Sequence, residues 1–130
     1  MNSLTTPTHQ QAMVLFAHGS RQNTWRTPFD LIAQKVSERH PDLQVELAFL
    51  EFMTPTLTES LNRLAGQGIT SIHIAPLFFG IGNHVARDLE VLVQSFTEAH
   101  PHVQLLVAPA VGQSPAVLDA MADYAGSLLG

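Results

Sequence analysis

Two long apolar runs constrain the fold of this chain more than any other feature. Residues 13–17 read Met-Val-Leu-Phe-Ala, and residues 72–79 read Ile-His-Ile-Ala-Pro-Leu-Phe-Phe. Neither run alternates apolar with polar positions, which is typical of strands buried on both faces of a parallel sheet. Each run continues into glycines and polar residues. Both strands are therefore expected to end at turns that present polar side chains.

Helical patterns separate four predicted strands, at 12–17, 44–50, 71–75 and 103–108. A cap residue followed by proline is typical of a helix start. This pattern occurs at 27–28, 54–55 and 114–115, and the third helix is expected to start near Asn83 or His84. The first and third helices are expected to end before His-Pro, at His40 and His100. The first helix is expected to bury Phe29, Ile32, Ala33 and Val36, and the third to bury Val85, Leu89, Leu92 and Phe96. The apolar face of the second helix is expected to comprise Leu57, Leu61 and Leu64, and that of the last helix Val117, Leu118, Met121, Ala125 and Leu128.

The alternation of strands and helices predicts an α/β fold, a four-stranded parallel sheet with right-handed crossovers and helices on both faces. The first and third strands are the most apolar, so they are expected at the centre. The second strand carries Glu46 and suits an edge. The predicted strand order is 2-1-3-4. Residues 1–11 are interpreted as a flexible tail, and residues 12–130 as a single domain.

Composition excludes several classes of protein. A net charge of −5 with only six Lys and Arg argues against nucleic-acid binding. The chain has no cysteine, which excludes disulfides and thiolate metal sites and fits a reducing cytoplasm. The apolar runs are too short to span a membrane, and no signal peptide is expected. Seven histidines are then the main candidates for binding a transition metal.

The predicted strand order selects two of these histidines. Ligands of open α/β sheets bind outside the carboxyl ends of the strands where the strand order reverses, here between the first and third strands. His18 follows the first strand and His84 follows the third, so both are expected at this crevice. The other five histidines are assigned structural roles: His9 in the tail, His73 within a strand, and His40, His100 and His102 at the opposite rim.

Further candidates lie at the same predicted rim. Glu51 follows the second strand among apolar residues and is either a proton acceptor or a solvated loop carboxylate. Ser20 and Arg21 either cap a turn or bind a carboxylate or phosphate, and Arg87 and Arg26 are weaker candidates of the same kind. Residues 76–81 suit a core segment, a subunit contact or a platform for a flat apolar ligand.

Other chemistries have less support. The glycines do not form a dinucleotide or phosphate-loop fingerprint, so nucleotide binding is not expected. Phosphoryl transfer through a phosphohistidine at His18 stays open, because Gly19 and Arg21 lie beside it. That chemistry requires several positive groups around one phosphate.

Four motifs give the chain a family resemblance over about residues 12–128. They are Ala17-His18-Gly19-Ser20-Arg21, Ala48-Phe49-Leu50-Glu51, Ala75-Pro76-Leu77-Phe78 and Gly82-Asn83-His84-Val85. With them, the chain resembles the class II chelatases, specifically the short CbiX-type sirohydrochlorin cobaltochelatases, and it is similar to sirohydrochlorin ferrochelatases as well.

The resemblance implies a three-layer chelatase-like fold and an ATP-independent lyase. The enzyme would insert a divalent metal, Co²⁺ first with Fe²⁺ or Ni²⁺ as alternatives, into sirohydrochlorin in cobalamin or siroheme biosynthesis. His18 and His84 would bind the metal and act in catalysis with Glu51, while Ser20, Arg21 and Arg87 would bind substrate. The resemblance implies a cytoplasmic homodimer with no cofactor beyond the metal substrate, and no nucleic-acid or membrane partner. A non-catalytic carrier of metal or tetrapyrrole on the same scaffold is the alternative.

Overall fold

The computed structural model describes residues 10–130, which form a parallel sheet of four strands with four α-helices around it. The elements, in chain order, are β1 (Gln11–Ala17), a 3-10 turn (Asn23–Arg26), α1 (Thr27–Arg39), β2 (Gln44–Phe49), α2 (Leu57–Gly66), β3 (Ser71–Pro76), α3 (Asn83–Ala99), β4 (Gln104–Val107), a second 3-10 turn (Val111–Gln113) and α4 (Pro115–Ser127). The strand order is β2-β1-β3-β4, so the predicted topology is confirmed. Residues 1–9 of the predicted tail, 1–11, lie outside the described residues. Gln11 was also assigned to the tail but belongs to β1.

The main core lies between one face of the sheet and helices α2 and α3. Ile72 and Ile74 of β3 are fully buried there. They share a hydrophobic cluster with Leu61 and Leu64 of α2 and with Phe96 of α3. The leucine stripe predicted for the second helix is thus confirmed. These leucines pack α2 against this face of the sheet.

The opposite face is covered where α1 packs against β2. Leu15, Ala17 and Phe49 are buried on this face. The Phe49 ring lies 6.5 Å from the ring of Trp25, in the 3-10 turn before α1. Because β1 is covered on both faces, its sequence is apolar without alternation.

Helix α2 does not begin where the sequence suggested. The predicted start at Thr54-Pro55 is wrong, because this pair forms a cis peptide bond in the loop before the helix. Thr56 is the actual cap. Its hydroxyl accepts a hydrogen bond from the backbone N–H of Glu59 at 3.2 Å, and its own N–H donates to the Glu59 carboxylate at 2.8 Å. This reciprocal pair is a capping box, which the spacing Thr-x-x-Glu allows.

The other helix boundaries are closer to prediction. Helix α3 begins at Asn83, and α1 and α3 end directly before His40 and His100, as expected. Thr27 is not a cap, because the preceding 3-10 turn runs directly into α1 and leaves Arg26 at the cap position. Ser114 precedes α4, but its hydroxyl makes no capping hydrogen bond within residues 10–130.

Burial of the helices differs from the predicted pattern. The predicted inner residues of α3 are buried or half-buried. In contrast, no residue of α1 or of α4 is buried against the described part of the chain. Ile32 of α1 is exposed, and most of the apolar side chains of α4 face solvent. The predicted inner residues are thus confirmed for α2 and α3, whereas the expected burial of Ile32 in α1 is wrong.

Strand β2 lies at the edge of the sheet, as its glutamate predicted. Glu46 accepts a hydrogen bond from the buried hydroxyl of Ser60 at 2.7 Å and from the Arg63 guanidinium at 2.7 Å. This pairing explains how a carboxylate is tolerated within an apolar strand.

Among the described residues, no helix has the length and apolar character needed to cross a membrane.

Candidate functional site

His18 and His84 both lie at the carboxyl edge of the sheet, on two neighbouring strands. His18 directly follows β1, and His84 is the second residue of α3, which the loop 77–82 connects to β3. Strands β1 and β3 pair in parallel, with Phe16 opposite Pro76. Both histidines are exposed. The structure therefore brings the two predicted histidines to the point where the strand order reverses.

The His18 imidazole rests on the loop that leads to His84. Its ring centroid lies 4.3 Å from that of Phe78, which is buried. The carbonyl of Phe78 accepts a hydrogen bond from the N–H of Gly112 at 3.0 Å. A Cβ at Gly112 would come within 1.9 Å of the carbonyl oxygen of Phe79. The loop is thus held from both sides, by the His18 ring and by a close backbone contact.

Glu51 is joined to His18 through the backbone. The Glu51 N–H donates to the His18 carbonyl at 3.0 Å, which extends the pairing of β1 and β2 past the ends of both strands. Gly19 makes this contact possible. It has a φ of 90°, and a Cβ there would lie 1.8 Å from the Glu51 carbonyl oxygen. The Glu51 carboxylate itself is exposed at the same rim as His18.

The predicted substrate-binding residues occupy different environments. The Ser20 hydroxyl accepts a hydrogen bond from the Gln22 N–H at 3.0 Å, so the turn-capping interpretation holds for it. The Arg21 guanidinium lies 4.6 Å from the centre of the Phe52 ring. Arg26 instead pairs with Asp30 at 3.2 Å, which leaves it less suited to a ligand. Arg87 is exposed on the second turn of α3.

Two exposed aromatic rings belong to the same rim. Phe52, which sequence reasoning did not single out, is 56% exposed and has a φ of 69°, a backbone conformation that bulky residues rarely adopt. Phe79 is 63% exposed on the loop before α3. The sequence feature that could have identified Phe52 is its position as a large apolar residue in a loop, directly after Glu51. The rim thus combines apolar surface with cationic and imidazole groups.

Over residues 10–130, no group of three or more His, Asp or Glu side chains is arranged to hold a metal ion. A metal bound by two imidazoles would keep open coordination positions, as a site that passes its metal on requires. The remaining described histidines lie elsewhere. His73 is half-buried within β3, and the rings of His100 and His102 lie 6.3 Å apart beyond the end of α3. His9 is outside the described residues.

Known sirohydrochlorin cobaltochelatases are similar to this chain. The protein from Sulfurisphaera tokodaii is 27% identical over 90% of this chain and 92% of its own length. The protein from Methanococcus aeolicus is 34% identical over 61% of this chain, and the one from Methanocaldococcus jannaschii is 33% identical over 69%. The chain spans 55% and 63% of the lengths of these last two relatives.

Solved structures agree with this similarity. The crystal structure of a cobalamin (vitamin B12) biosynthesis CbiX protein from Marinobacter aquaeolei VT8 superposes with a TM-score of 0.78 and 27% identity, over 92% of this chain and 94% of that one. The sirohydrochlorin chelatase SirB from Bacillus subtilis, in complex with cobalt, shares the fold with a TM-score of 0.74 and 21% identity, over 91% of this chain and 50% of that one. The CbiX family model matches residues 12–127. The chain therefore belongs to the CbiX family.

Proposed function

We propose that this chain inserts a divalent metal ion, Co²⁺ in the first instance, into sirohydrochlorin without hydrolysing a nucleotide. The observation that carries the proposal is the position of His18 and His84. They follow adjacent parallel strands and lie exposed at one edge of one sheet. The relatives named as sirohydrochlorin cobaltochelatases support the choice of substrate.

The residues of the rim suit the chemistry that metal insertion requires. Neutral imidazoles bind Co²⁺, Ni²⁺ and Fe²⁺, and two of them leave positions for pyrrole nitrogens to enter the coordination sphere. Two pyrrole protons must leave as the metal enters. We assign Glu51 as the acceptor that takes them one at a time and passes each to solvent, because its side chain is exposed and its backbone is hydrogen-bonded to that of His18.

Substrate recognition is assigned to the polar and aromatic groups around these three residues. Sirohydrochlorin carries many carboxylates, and guanidinium groups bind carboxylates in a bidentate manner. Arg21 and Arg87 are exposed and would hold the rim of the macrocycle. The Ser20 hydroxyl accepts from Gln22, so its own hydrogen stays available to a carboxylate. The exposed rings of Phe52 and Phe79 suit the flat apolar centre of the ligand.

An anaerobic insertion assay tests this assignment. The absorption change of sirohydrochlorin is followed with Co²⁺, Ni²⁺ and Fe²⁺ in parallel. Replacing His18 or His84 by alanine is expected to lower the rate at least about a hundredfold, the scale for losing a catalytic acid–base group. His102→Ala, an exposed histidine at the opposite rim, is the matched control and should leave the rate unchanged. A double variant of His18 and His84 with the full rate would contradict the proposal.

Single-turnover measurements separate the enzyme from a carrier. A carrier of metal or tetrapyrrole binds its ligand stoichiometrically but leaves the rate of insertion at the buffer value. An enzyme at excess over substrate accelerates insertion within one turnover. Acceleration by the unmodified chain, lost in His84→Ala, supports the chelatase. Binding without acceleration selects the carrier.

We also propose that the chain acts as a homodimer. A single sheet offers an open crevice with one wall, and a second copy would supply more surface around a macrocycle. The exposed apolar side chains of α4 support this assembly, because a helix face of this kind normally packs against protein. Sedimentation velocity measures the mass directly. A chain that stays monomeric at micromolar concentration would contradict the homodimer.

A further inference from the structure

The buried ring of Phe78 connects the two candidate metal ligands. Its centroid lies 4.3 Å from that of the His18 imidazole, with an angle of 41° between the ring planes. Phe78 also belongs to the loop 77–82, which runs from β3 to the start of α3, where His84 is the second residue. One residue therefore contacts His18 with its side chain and carries the backbone towards His84.

Contacts that do not involve His18 hold Phe78 in place. Its side chain is 3% exposed, and its ring packs edge-on against Phe16 of β1, with the ring centroids 5.3 Å apart. On the backbone, the Leu77 N–H donates to the Phe16 carbonyl at 2.8 Å, and the Phe78 carbonyl accepts from the Gly112 N–H at 3.0 Å. The ring is thus a fixed surface of the core, against which the exposed His18 imidazole rests.

This ring contact orients the His18 imidazole in the absence of a hydrogen bond. Within residues 10–130, no hydrogen bond or ion pair reaches the imidazole, and the Phe78 ring lies against it. Metal-binding histidines usually donate their second ring N–H to a carboxylate or carbonyl, which fixes the orientation of the ring. An imidazole bound to a metal ion takes on part of its positive charge, and the face of an aromatic ring attracts positive charge. The contact is therefore expected to strengthen when the metal binds.

We propose that Phe78 is a positioning residue for His18. Its ring holds the imidazole in the orientation in which His18 and His84 bind the same metal ion, in place of the hydrogen bond that such a ligand usually makes. The inference rests on the proposed function, because it takes both histidines as metal ligands. Phe78 itself is buried and acts through His18.

Replacing Phe78 by leucine keeps an apolar side chain in the core and removes the aromatic face. Co²⁺ is paramagnetic, so a titration followed by NMR through the imidazole signals reports binding at His18 and His84 separately from the other histidines. Phe78→Leu is expected to raise the Kd for Co²⁺ about three- to tenfold, the scale of one aromatic contact. An unchanged Kd in the folded variant would overturn the proposal. If Phe78→Leu does not fold, Phe78→Met makes the same test with a more adaptable side chain.

Phe96→Leu is the matched control, because a second pair of a buried phenylalanine and a histidine lies at the opposite rim. The Phe96 ring is 6% exposed, and its centroid lies 4.6 Å from that of His100, with 33° between the ring planes. Both substitutions remove a buried ring, so both should lower the free energy of unfolding in urea denaturation. Only Phe78→Leu should weaken Co²⁺ binding. An equal rise of the Kd in Phe96→Leu would show that lost stability, not lost positioning, weakens the site, and the proposal would fail.

Double variants show whether Phe78 acts through His18. In a His84→Ala background the metal still binds at His18, so Phe78→Leu should weaken binding by about the same factor as in the parent chain. In a His18→Ala background, binding at His84 should not respond to Phe78→Leu. Equal effects in the two backgrounds would place the action of Phe78 on the loop 77–82 and contradict its role as a positioning residue for His18.

The metal-free NMR spectrum checks the contact itself. An aromatic ring shifts the resonances of protons that lie close to it, so the His18 imidazole signals should move in Phe78→Leu and stay in place in Phe96→Leu. His18 signals that stay in place in both variants would show that the contact is not made in solution, and would overturn the proposal.

These measurements contain no tetrapyrrole, so they separate a failure of this inference from a failure of the proposed function. Co²⁺ binding that is lost in His18→Ala but unchanged in Phe78→Leu contradicts the inference alone. The expected weakening in Phe78→Leu, in a chain that does not accelerate insertion into sirohydrochlorin, contradicts the proposed activity and supports the positioning role of Phe78.

Discussion

Gly19 is the single residue on which the local geometry of the candidate site depends most directly. Its φ of 90° is accessible to glycine without cost, and its missing Cβ lets the Glu51 carbonyl approach. Gly19→Ala is expected to lower the free energy of unfolding by about 2 kcal/mol or more, since strain at such a φ alone costs about 1–3 kcal/mol. Urea denaturation measures the change.

The matched control for this change is Gly80→Ala. Gly80 lies on the neighbouring rim loop, has no positive φ, and a Cβ there would meet nothing within 4 Å. Its replacement is expected to leave stability within about 0.5 kcal/mol of the parent. Equal effects of the two substitutions would show that the contact between Gly19 and Glu51 does not constrain the rim.

Arg21 is the residue expected to bind the carboxylates of the macrocycle. Its guanidinium is held over the Phe52 ring and has no carboxylate partner among the hydrogen bonds and ion pairs described for residues 10–130. Arg21→Ala should raise the KM for sirohydrochlorin about tenfold or more, because a hydrogen bond to a charged group contributes about 1.5–3 kcal/mol. Arg39→Ala, at the far end of α1, is the control. A change in kcat alone, with the KM unaffected, would contradict the role in binding.

The sequence predicted that His18 and His84 reach the rim, but not the contacts that hold the rim in place. Strand order alone placed His18 and His84, because parallel strands end at the same edge. The contact between Gly19 and Glu51 joins residues far apart in sequence, and no local pattern encodes it. The same holds for Phe52 under Arg21, since a positive φ at phenylalanine has no signature in the sequence.

At the scale of elements, the start of α2 provides a direct test of the structure against the sequence pattern. The structure places the cap at Thr56, with Glu59 completing the capping box. Thr56→Ala should lower the free energy of unfolding by about 1 kcal/mol, the usual effect of removing a cap hydroxyl. Thr54→Ala, at the cap position that the Thr-Pro pattern suggested, should have little effect. The opposite ranking in thermal or urea denaturation would show that the helix begins earlier.

Element order was predictable, whereas the partners of the elements were not. The periodicity of α1 and α4 marks an apolar face on each, as that of α2 and α3 does. Only α2 and α3 contribute residues to the main core. Helical periodicity shows that one face of a helix is apolar, but not which surface of the protein packs against that face. No surface within residues 10–130 buries a residue of α4. Treating one copy of the chain as self-contained therefore overestimates how much of this helix is buried.

At the scale of the whole molecule, the sheet topology decides which chain supplies each part of the site. Strands β1 and β3 are hydrogen-bonded neighbours, so His18 and His84 of one chain share one rim. In the homodimer proposed above, we therefore expect two sites, each with both histidines from a single chain.

Mixed dimers of two inactive variants test this conclusion. His18→Ala and His84→Ala are refolded together so that about half of the dimers contain one copy of each. If both histidines of a site come from one chain, no dimer has an intact site, and the insertion rate should stay at the level of the single variants. If the two histidines came from different chains, each mixed dimer would hold one intact site. The mixture would then recover about a quarter of the parent rate, since half of the sites in half of the dimers would be complete. A mixture of His102→Ala with the parent chain, expected at the full rate, shows that refolding itself preserves activity.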